Sequence, residues 1–200
     1  MNLHRRDVVS RLLKDRGDLL VVAGLGSASW DITAAGDSPL SFPIWGAMGQ
    51  AAMLGLGLAL AQPKRRVLVV TGDGEMLMGL GSLATIGVQQ PANLTVVVID
   101  NERYGETGMQ RTHTAYGVDL AAVAKACKFK HAITATAEVD PVRELAYRTP
   151  GPNFAAVKVM DEKLPLVLPP NDGVLLKARF RRALLGTDEN ESADVLPEKR

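Results

Sequence analysis

The sequence predicts a doubly wound α/β fold, with a mainly parallel sheet and helices on both of its faces. Apolar runs at residues 66–71 and 94–99 have the composition of buried parallel strands. The segment between them, residues 75–89, has the length and the Met/Leu/Ile spacing of a crossover helix, so the unit is βαβ. Strand and helix patterns alternate over the rest of the chain, as expected for a doubly wound sheet.

The remaining elements follow the same alternation. In chain order the patterns predict a helix over 4–16, a strand over 19–23, a tight loop over 24–27, a helix through Cys127, a strand over 131–135, a helix over 138–148 and a strand over 154–159. Asp119 is a good N-cap for the helix that runs through Cys127. The loop over 24–27 ends the first strand, so it faces the same sheet edge as the end of the strand over 66–71.

One predicted helix differs from the others. Residues 46–61 are apolar nearly all round, with Gln50 as the only polar side chain. A helix without a polar face is buried on every side. Its 16 residues (61 − 46 + 1) fall short of the ~20 that a membrane span needs. Because one sheet covers only one face of a helix, we expect another subunit to cover the rest.

Length and composition narrow the possible functions. The 200 residues suffice for one α/β domain, predicted over 1–186, followed by a disordered acidic tail over 187–200. The net charge is +1 without a dominant charged block, so neither nucleic acid nor a membrane surface is predicted as a partner. The single cysteine excludes a cysteine-ligated iron–sulfur cluster within this chain. Charged residues interrupt the N-terminal segment, so no signal peptide is predicted and we expect a cytoplasmic location.

Two candidate metal ligands follow the central strands. Asp73 stands between Gly72 and Gly74 after the first strand, and Asn101 follows the second, 28 positions later (101 − 73). The carboxyl ends of parallel strands share one edge, where open α/β sheets bind ligands. Carboxylate and amide oxygens, with a backbone carbonyl from the following loop, suit Mg²⁺. A lone Gly-Asp-Gly is more often an ordinary turn, but the strand, helix, strand and Asn101 around it favour a metal site.

The surroundings of Asp73 predict a phosphate ligand. Gly72 and Gly74 place no side chain in the way of a diphosphate. The amides of Gly74 and Glu75 lie in the first turn of a predicted helix, and the positive end of that helix faces the diphosphate. Gly26 and Ser27, in the loop at the same edge, are further candidate contacts. We therefore predict that the ligand is a phosphate ester or anhydride carried by Mg²⁺.

These motifs resemble the fingerprint of the thiamine-diphosphate-dependent enzymes, in which Gly-Asp-Gly is followed, after a βαβ unit, by Asn-Asn. Asp100 stands here where the first Asn is usual, whereas the metal-binding second Asn is kept as Asn101. The segment Trp-Gly-Ala-Met-Gly at 45–49 resembles the part of the family that props the cofactor in a bent shape. That resemblance implies Met48 as the prop and the Gly46 carbonyl as the acceptor for the 4′-amino group. The implied cofactors are thiamine diphosphate and Mg²⁺.

The loop at 101–108 resembles the post-metal loop of the phosphonopyruvate and sulfopyruvate decarboxylases. The resemblance implies that the Arg103 carbonyl binds the metal, and that Tyr104, Gly105 and Glu106 lead from the diphosphate toward the substrate pocket. The implied activity is that of a lyase that decarboxylates a 2-oxo acid. A second anionic group on the substrate is suggested, while an uncharged or aromatic side chain stays open.

The resemblance also implies a partner chain. In this family a glutamate that activates the cofactor lies in a pyrimidine-binding domain, and nothing in this chain resembles that domain. We therefore expect the active site to form against a separate pyrimidine-binding subunit, in a hetero-oligomer such as α₂β₂ or larger. This is the split arrangement of the two-chain sulfopyruvate decarboxylases.

Two residues are candidates for catalytic roles. Glu106 becomes a proton donor if burial raises its pKa, although a surface carboxylate is an equally good interpretation. His113, with Arg111, is a candidate to bind an acidic substrate group, although a solvent-facing loop is the simpler interpretation. Two alternative functions stay open: carboligation, as in acetolactate-type synthases, and a non-catalytic regulatory module.

Overall fold

The computed structural model of the chain describes residues 3–186, so the predicted acidic tail lies outside the described residues. Its strands are β1 (Leu20–Ala23), β2 (Ser41–Pro43), β3 (Val67–Gly72), β4 (Leu94–Asp100), β5 (Arg103–Tyr104), β6 (Gln110–Arg111), β7 (His131–Ala135) and β8 (Asn153–Lys158). Six of them form one sheet in the order β2-β1-β3-β4-β8-β7, and all of its pairings are parallel. β5 and β6 form a separate antiparallel hairpin.

Helices pack on both faces of the sheet. They are α1 (Arg5–Leu13), α2 (Ser27–Ala34), α3 (Ala51–Ala61), α4 (Asp73–Met78), α5 (Ser82–Gln89), α6 (Leu120–Ala126), α7 (Asp140–Tyr147) and α8 (Gly173–Leu185), with a short 3₁₀-helix at His113–Tyr116. No helix within residues 3–186 combines the length and the apolar character of a membrane span.

The side chains of the central strands alternate between two hydrophobic cores. Val67 and Val69 of β3 belong to a core that α3, α5 and α6 cover, whereas Leu68 and Val70 belong to a core that α1, α2 and α7 cover. A parallel sheet that is buried on both faces is built from continuous apolar runs, as β3 and β4 are. This arrangement confirms the predicted doubly wound α/β fold.

The helix predicted over 46–61 begins only at Ala51, so the prediction was wrong for its first turn. Gly46 and Gly49 have φ angles of +71° and +83°, in the left-handed region that ends or prevents an α-helix. Met53 and Leu60 of α3 are exposed in the single chain. That another subunit covers this side of the helix stays a prediction.

The predicted crossover helix is divided into α4 and α5. The break lies at residues 79–81, where Gly79 approaches the loop before α3. A Cβ on Gly79 would lie 2.2 Å from the Gly49 carbonyl oxygen, so only glycine allows this approach. The break therefore brings the loop that contains Met48 and Gly49 against the end of α4.

Candidate active site

The sheet brings Asp73 and Asn101 to one edge. Asp73 is the first residue of α4, directly after β3, and Asn101 directly follows β4. The two strands are neighbours, with Gly72 opposite Ile99 in their register. Both side chains therefore lie at the carboxyl edge of the sheet, where the βαβ unit was expected to place them.

A cavity of about 1040 Å³ opens at this edge. That volume is at the upper end of the range typical of small-molecule sites, ~300–1,000 Å³. Most of the candidate residues line it: Ser27, Met48, Gly72, Asp73, Gly74, Glu75, Asn101, Arg103, Tyr104, Gly105 and Glu106. A single cavity thus collects candidate residues from four separated segments of the sequence.

Three candidate residues lie outside the lining of this cavity, as the described chain forms it: Gly26, Gly46 and His113. Gly26 is nevertheless close, because a Cβ on it would lie 2.4 Å from Glu106 Oε1. Gly46 lies in an exposed loop. The His113 side chain is exposed, and its Nδ1 lies 3.5 Å from the Tyr104 hydroxyl. The His113 side chain thus contacts a residue of the cavity wall, Tyr104.

The Asp73 carboxylate is buried, with 1% of the residue exposed. The Thr112 hydroxyl donates a hydrogen bond to its Oδ2 over 2.6 Å, and the Thr114 hydroxyl lies 3.3 Å from the same atom. Burial raises the pKa of Asp73 to about 6, which the Thr112 hydrogen bond opposes and the neighbouring charge of Asp100 supports. At neutral pH the group is therefore a buried anion, which favours a bound cation.

A row of close polar contacts continues from Asp73 to β8. The Thr112 and Thr114 hydroxyls lie 2.9 Å apart, and Thr114 donates to Asp100 Oδ1 over 2.8 Å. Asp100 Oδ2 in turn lies 2.8 Å from Lys158 Nζ. The sequence analysis missed the two threonines, because the β5–β6 hairpin and the 3₁₀-helix that bring them inward are too short to leave a periodic pattern.

The backbone after Asn101 turns back on itself. The Arg103 amide donates a hydrogen bond to Asn101 Oδ1 over 3.1 Å, in an Asx-type turn. The Arg103 guanidinium forms an ion pair with Asp161, 3.0 Å from Nε to Oδ2. These two contacts fix the orientation of the loop that carries the Arg103 carbonyl.

Glu75 connects three walls of the cavity through its buried carboxylate. Its Oε2 accepts hydrogen bonds from the Thr71 hydroxyl, over 2.6 Å, and from the Leu25 amide, over 3.1 Å. Its Oε1 accepts a hydrogen bond from the Ala51 amide over 3.2 Å. Burial raises the pKa of Glu75, and these hydrogen bonds oppose the shift. The side chain thus links β3, the loop after β1 and the start of α3.

The loop after Asn101 packs directly on the Gly-Asp-Gly segment. A Cβ on Gly74 would lie 2.6 Å from Cδ1 of the Tyr104 ring, whereas no atom lies within 4 Å of a Cβ built on Gly72. Gly74 therefore permits the ring to approach, and Gly72 leaves open space beside Asp73. The oxygen donors and this open space suit a hard divalent cation that carries a diphosphate.

The chain is similar in sequence to known proteins. The family model described as "Thiamine pyrophosphate enzyme, C-terminal TPP binding domain" matches residues 28–157. The sulfopyruvate decarboxylase subunit beta of Methanothermobacter thermautotrophicus is 38% identical over 190 residues, which is 95% of this chain and 100% of that protein. The phosphonopyruvate decarboxylase of Streptomyces viridochromogenes is 42% identical over 144 residues, which is 71% of this chain but 36% of that protein.

A solved structure supports the fold. The benzoylformate decarboxylase of Polynucleobacter necessarius superimposes with a TM-score of 0.67 at 20% identity, over 83% of this chain and 35% of that one. At this identity the likeness shows the fold alone.

The family match confirms thiamine diphosphate, the same compound as thiamine pyrophosphate, as the predicted cofactor. The chain therefore belongs to the thiamine pyrophosphate enzymes, as a C-terminal TPP-binding domain.

Proposed function

We propose that this chain is the diphosphate- and Mg²⁺-binding subunit of a thiamine-diphosphate-dependent 2-oxo acid decarboxylase. The convergence of Asp73 and Asn101 on one large cavity at the carboxyl edge of the sheet carries the proposal. The similarity to a sulfopyruvate decarboxylase subunit over that subunit's whole length supports the reaction class.

The proposed metal ligands are the Asp73 carboxylate, the Asn101 amide oxygen and the Arg103 carbonyl, and Mg²⁺ would complete its shell with water and phosphate oxygens. The short hydrogen bond from Thr112 holds one Asp73 oxygen in place. When bound, thiamine diphosphate supplies the electron sink for loss of carbon dioxide from a 2-oxo acid. The task of this chain is to position that group and to exclude water from it.

The rest of the proposed cofactor site consists of glycine surfaces and apolar side chains. The diphosphate is assigned to the surface formed by Gly72, Gly74 and the Glu75 amide, with Gly26, Ser27, Tyr104 and Gly105 around it. Met48, half-buried in the cavity wall, is the proposed prop for the bent cofactor, and the Gly46 carbonyl is its proposed 4′-amino contact.

Glu106 is the proposed proton donor, and His113 a secondary candidate. Glu106 lines the cavity but is exposed in the isolated chain. Its role as an acid at neutral pH therefore requires that another subunit bury it. His113 is assigned an indirect role through its contact with the Tyr104 hydroxyl.

The proposed active site is completed by a pyrimidine-binding subunit that supplies the activating glutamate. Large apolar side chains are exposed beside the cavity, among them Met78 at 62% and Leu166 at 60%. Trp45 and Met109 are exposed as well. Exposed apolar side chains around a cavity are typical of protein interfaces. The name of the similar protein, a subunit beta, supports a hetero-oligomer.

The cavity lining carries carboxylates as well as cations, and the proposal of a second anionic group on the substrate rests on the position of Lys163. Three cationic side chains contribute to the lining: Arg5, Arg103 and Lys163. The sequence predicted Arg103 only for its backbone carbonyl and did not indicate the other two. Arg5 pairs with Asp31, and Arg103 pairs with Asp161. Lys163 is exposed at the cavity, so we propose it as the contact for the distal anion of the substrate.

Product analysis tests this proposal. The complex with a pyrimidine-binding subunit is supplied with Mg²⁺, thiamine diphosphate and, in turn, sulfopyruvate, phosphonopyruvate, pyruvate and benzoylformate. We expect an aldehyde and carbon dioxide from the dianionic 2-oxo acids. An acyloin as the main product would instead identify a carboligase, and bound cofactor without any turnover would identify a regulatory module.

Metal binding should depend on pH because Asp73 titrates close to neutrality. Its pKa of about 6 in the metal-free chain lies above the ordinary value of 3.8, so protons compete with Mg²⁺ below that pH. We expect the Mg²⁺-dependent rise in melting temperature to be smaller at about pH 5.5 than at about pH 7.5. Differential scanning fluorimetry with Mg²⁺ alone measures this difference, and equal rises at the two pH values would contradict it.

A further inference from the structure

Lys158 and Asp100 form a charged pair beside the proposed metal ligands. They stand opposite each other in the register of β4 and β8, and Lys158 Nζ lies 2.8 Å from Asp100 Oδ2. The Asp100 side chain is 2% exposed, whereas that of Lys158 is 32% exposed. A buried carboxylate at the end of one strand is thus paired with a cation from the neighbouring strand, and the more exposed carboxylate of Glu102 lies 2.8 Å from the same Nζ.

The other oxygen of Asp100 holds the backbone and side chains that surround Asp73. Asp100 Oδ1 accepts hydrogen bonds from the Thr114 hydroxyl, over 2.8 Å, and from the Glu102 amide, over 3.1 Å. Thr114 contacts the Thr112 hydroxyl, which donates to Asp73. Asp100 therefore anchors the segment that fixes the orientation of the Asp73 carboxylate.

We propose that Lys158 is a positioning residue of the cofactor site: it compensates the charge of Asp100 and so allows a second buried carboxylate to hold Thr112 and Thr114 against Asp73. The inference rests on the proposed role of Asp73 as a metal ligand. It also explains how this chain accommodates aspartate at the position where the fingerprint it resembles carries asparagine. An asparagine accepts the same hydrogen bonds without a charge, so it needs no lysine.

The Lys158→Met variant leaves Asp100 without its cation. Two buried carboxylates, Asp73 and Asp100, then face each other across two hydroxyl groups, and removal of one partner of a buried pair leaves an uncompensated charge. We expect Mg²⁺-dependent binding of thiamine diphosphate to weaken about 10-fold or more, as is typical when the support of a metal ligand is lost. The melting temperature of the ligand-free chain should also fall.

A double-mutant cycle tests the inference. Lys158→Met, Asp100→Asn and the double variant are compared with the wild type, and Lys130→Met, at an exposed lysine before β7, is the matched control. Melting temperature without ligand is one measurement. The other is the Kd of thiamine diphosphate in saturating Mg²⁺, followed by tryptophan fluorescence, to which Trp30 in the cavity wall contributes.

The expected result is rescue. Lys158→Met binds thiamine diphosphate weakly. The double variant has a Kd within about 3-fold of the wild-type value, because the neutral amide needs no cation. Lys130→Met has the Kd and the melting temperature of the wild type. A double variant that binds or melts no better than Lys158→Met would overturn the inference, as would a Lys158→Met variant with unchanged binding. If Lys158→Met fails to fold, the double variant must fold and bind.

The test also separates this inference from the proposed function. A wild-type chain that shows no Mg²⁺-dependent binding of thiamine diphosphate, alone or with its partner, contradicts the proposed function. The melting temperatures of the four chains in the cycle still decide, in that case, whether Lys158 compensates Asp100.

Discussion

Replacement of Asp73 by asparagine should abolish Mg²⁺-dependent binding of thiamine diphosphate while the fold stays intact. Loss of residues that only support a metal ligand costs ~10–100-fold in affinity, so loss of the ligand itself should cost at least about 100-fold. Isothermal titration of the chain with thiamine diphosphate, with and without Mg²⁺, measures the change.

The ligand-free Asp73→Asn variant should be at least as stable as the wild type near neutral pH. The folded-state pKa of about 6 exceeds the ordinary value of 3.8, so ionisation of Asp73 destabilises the metal-free fold as pH rises through this range. A neutral amide removes that penalty. Asp18→Asn, at an exposed aspartate, is the matched control for both measurements. Binding by Asp73→Asn that is as tight as that of the wild type would show that the metal is held elsewhere.

Replacement of Glu75 by alanine should have the largest effect on the architecture of the cavity. It leaves the Leu25 and Ala51 amides and the Thr71 hydroxyl without their acceptor in a buried place. Each buried group without a partner costs ~1–3 kcal/mol. Removal of a buried carboxylate offsets part of this, so we expect the melting temperature to fall on the order of 5–10 °C.

Glu75→Ala should also weaken cofactor binding, because the three walls of the cavity that Glu75 links can then move apart. Glu75→Gln keeps one oxygen acceptor, so its melting temperature and its affinity for the cofactor should lie between those of the wild type and Glu75→Ala. Glu138→Ala, at an exposed glutamate, controls for the loss of a charge. An unchanged melting temperature of Glu75→Ala would show that the carboxylate does not link the walls.

The parts of the fold that local pattern determines were predicted correctly. β3 and β4 are continuous apolar runs because a parallel sheet buries both of their faces, and a run of that kind is visible in the sequence. The positions of Asp73 and Asn101 at one edge follow directly from the βαβ unit. The start of α3 and the break between α4 and α5 could not be predicted in the same way, because they depend on the contact between Gly49 and Gly79.

The supporting residues of the site were hidden for a similar reason. Glu75 takes its partners from three segments that are far apart in the sequence, and Thr112 and Thr114 look like solvent-exposed loop residues until the chain folds back on Asp73. The cationic lining was missed because Arg5 and Lys163 come from the two ends of the domain. Pairing between distant segments, rather than local periodicity, decides where such side chains lie.

Release of carbon dioxide in the presence and absence of the partner tests the central claim most directly. The purified chain is assayed with a dianionic 2-oxo acid, thiamine diphosphate and Mg²⁺, first alone and then with increasing amounts of a candidate pyrimidine-binding subunit. The account predicts no release by the chain alone and a rate that rises with the partner and then saturates. Release by the chain alone would contradict it, because the activating glutamate would then have to lie within this chain.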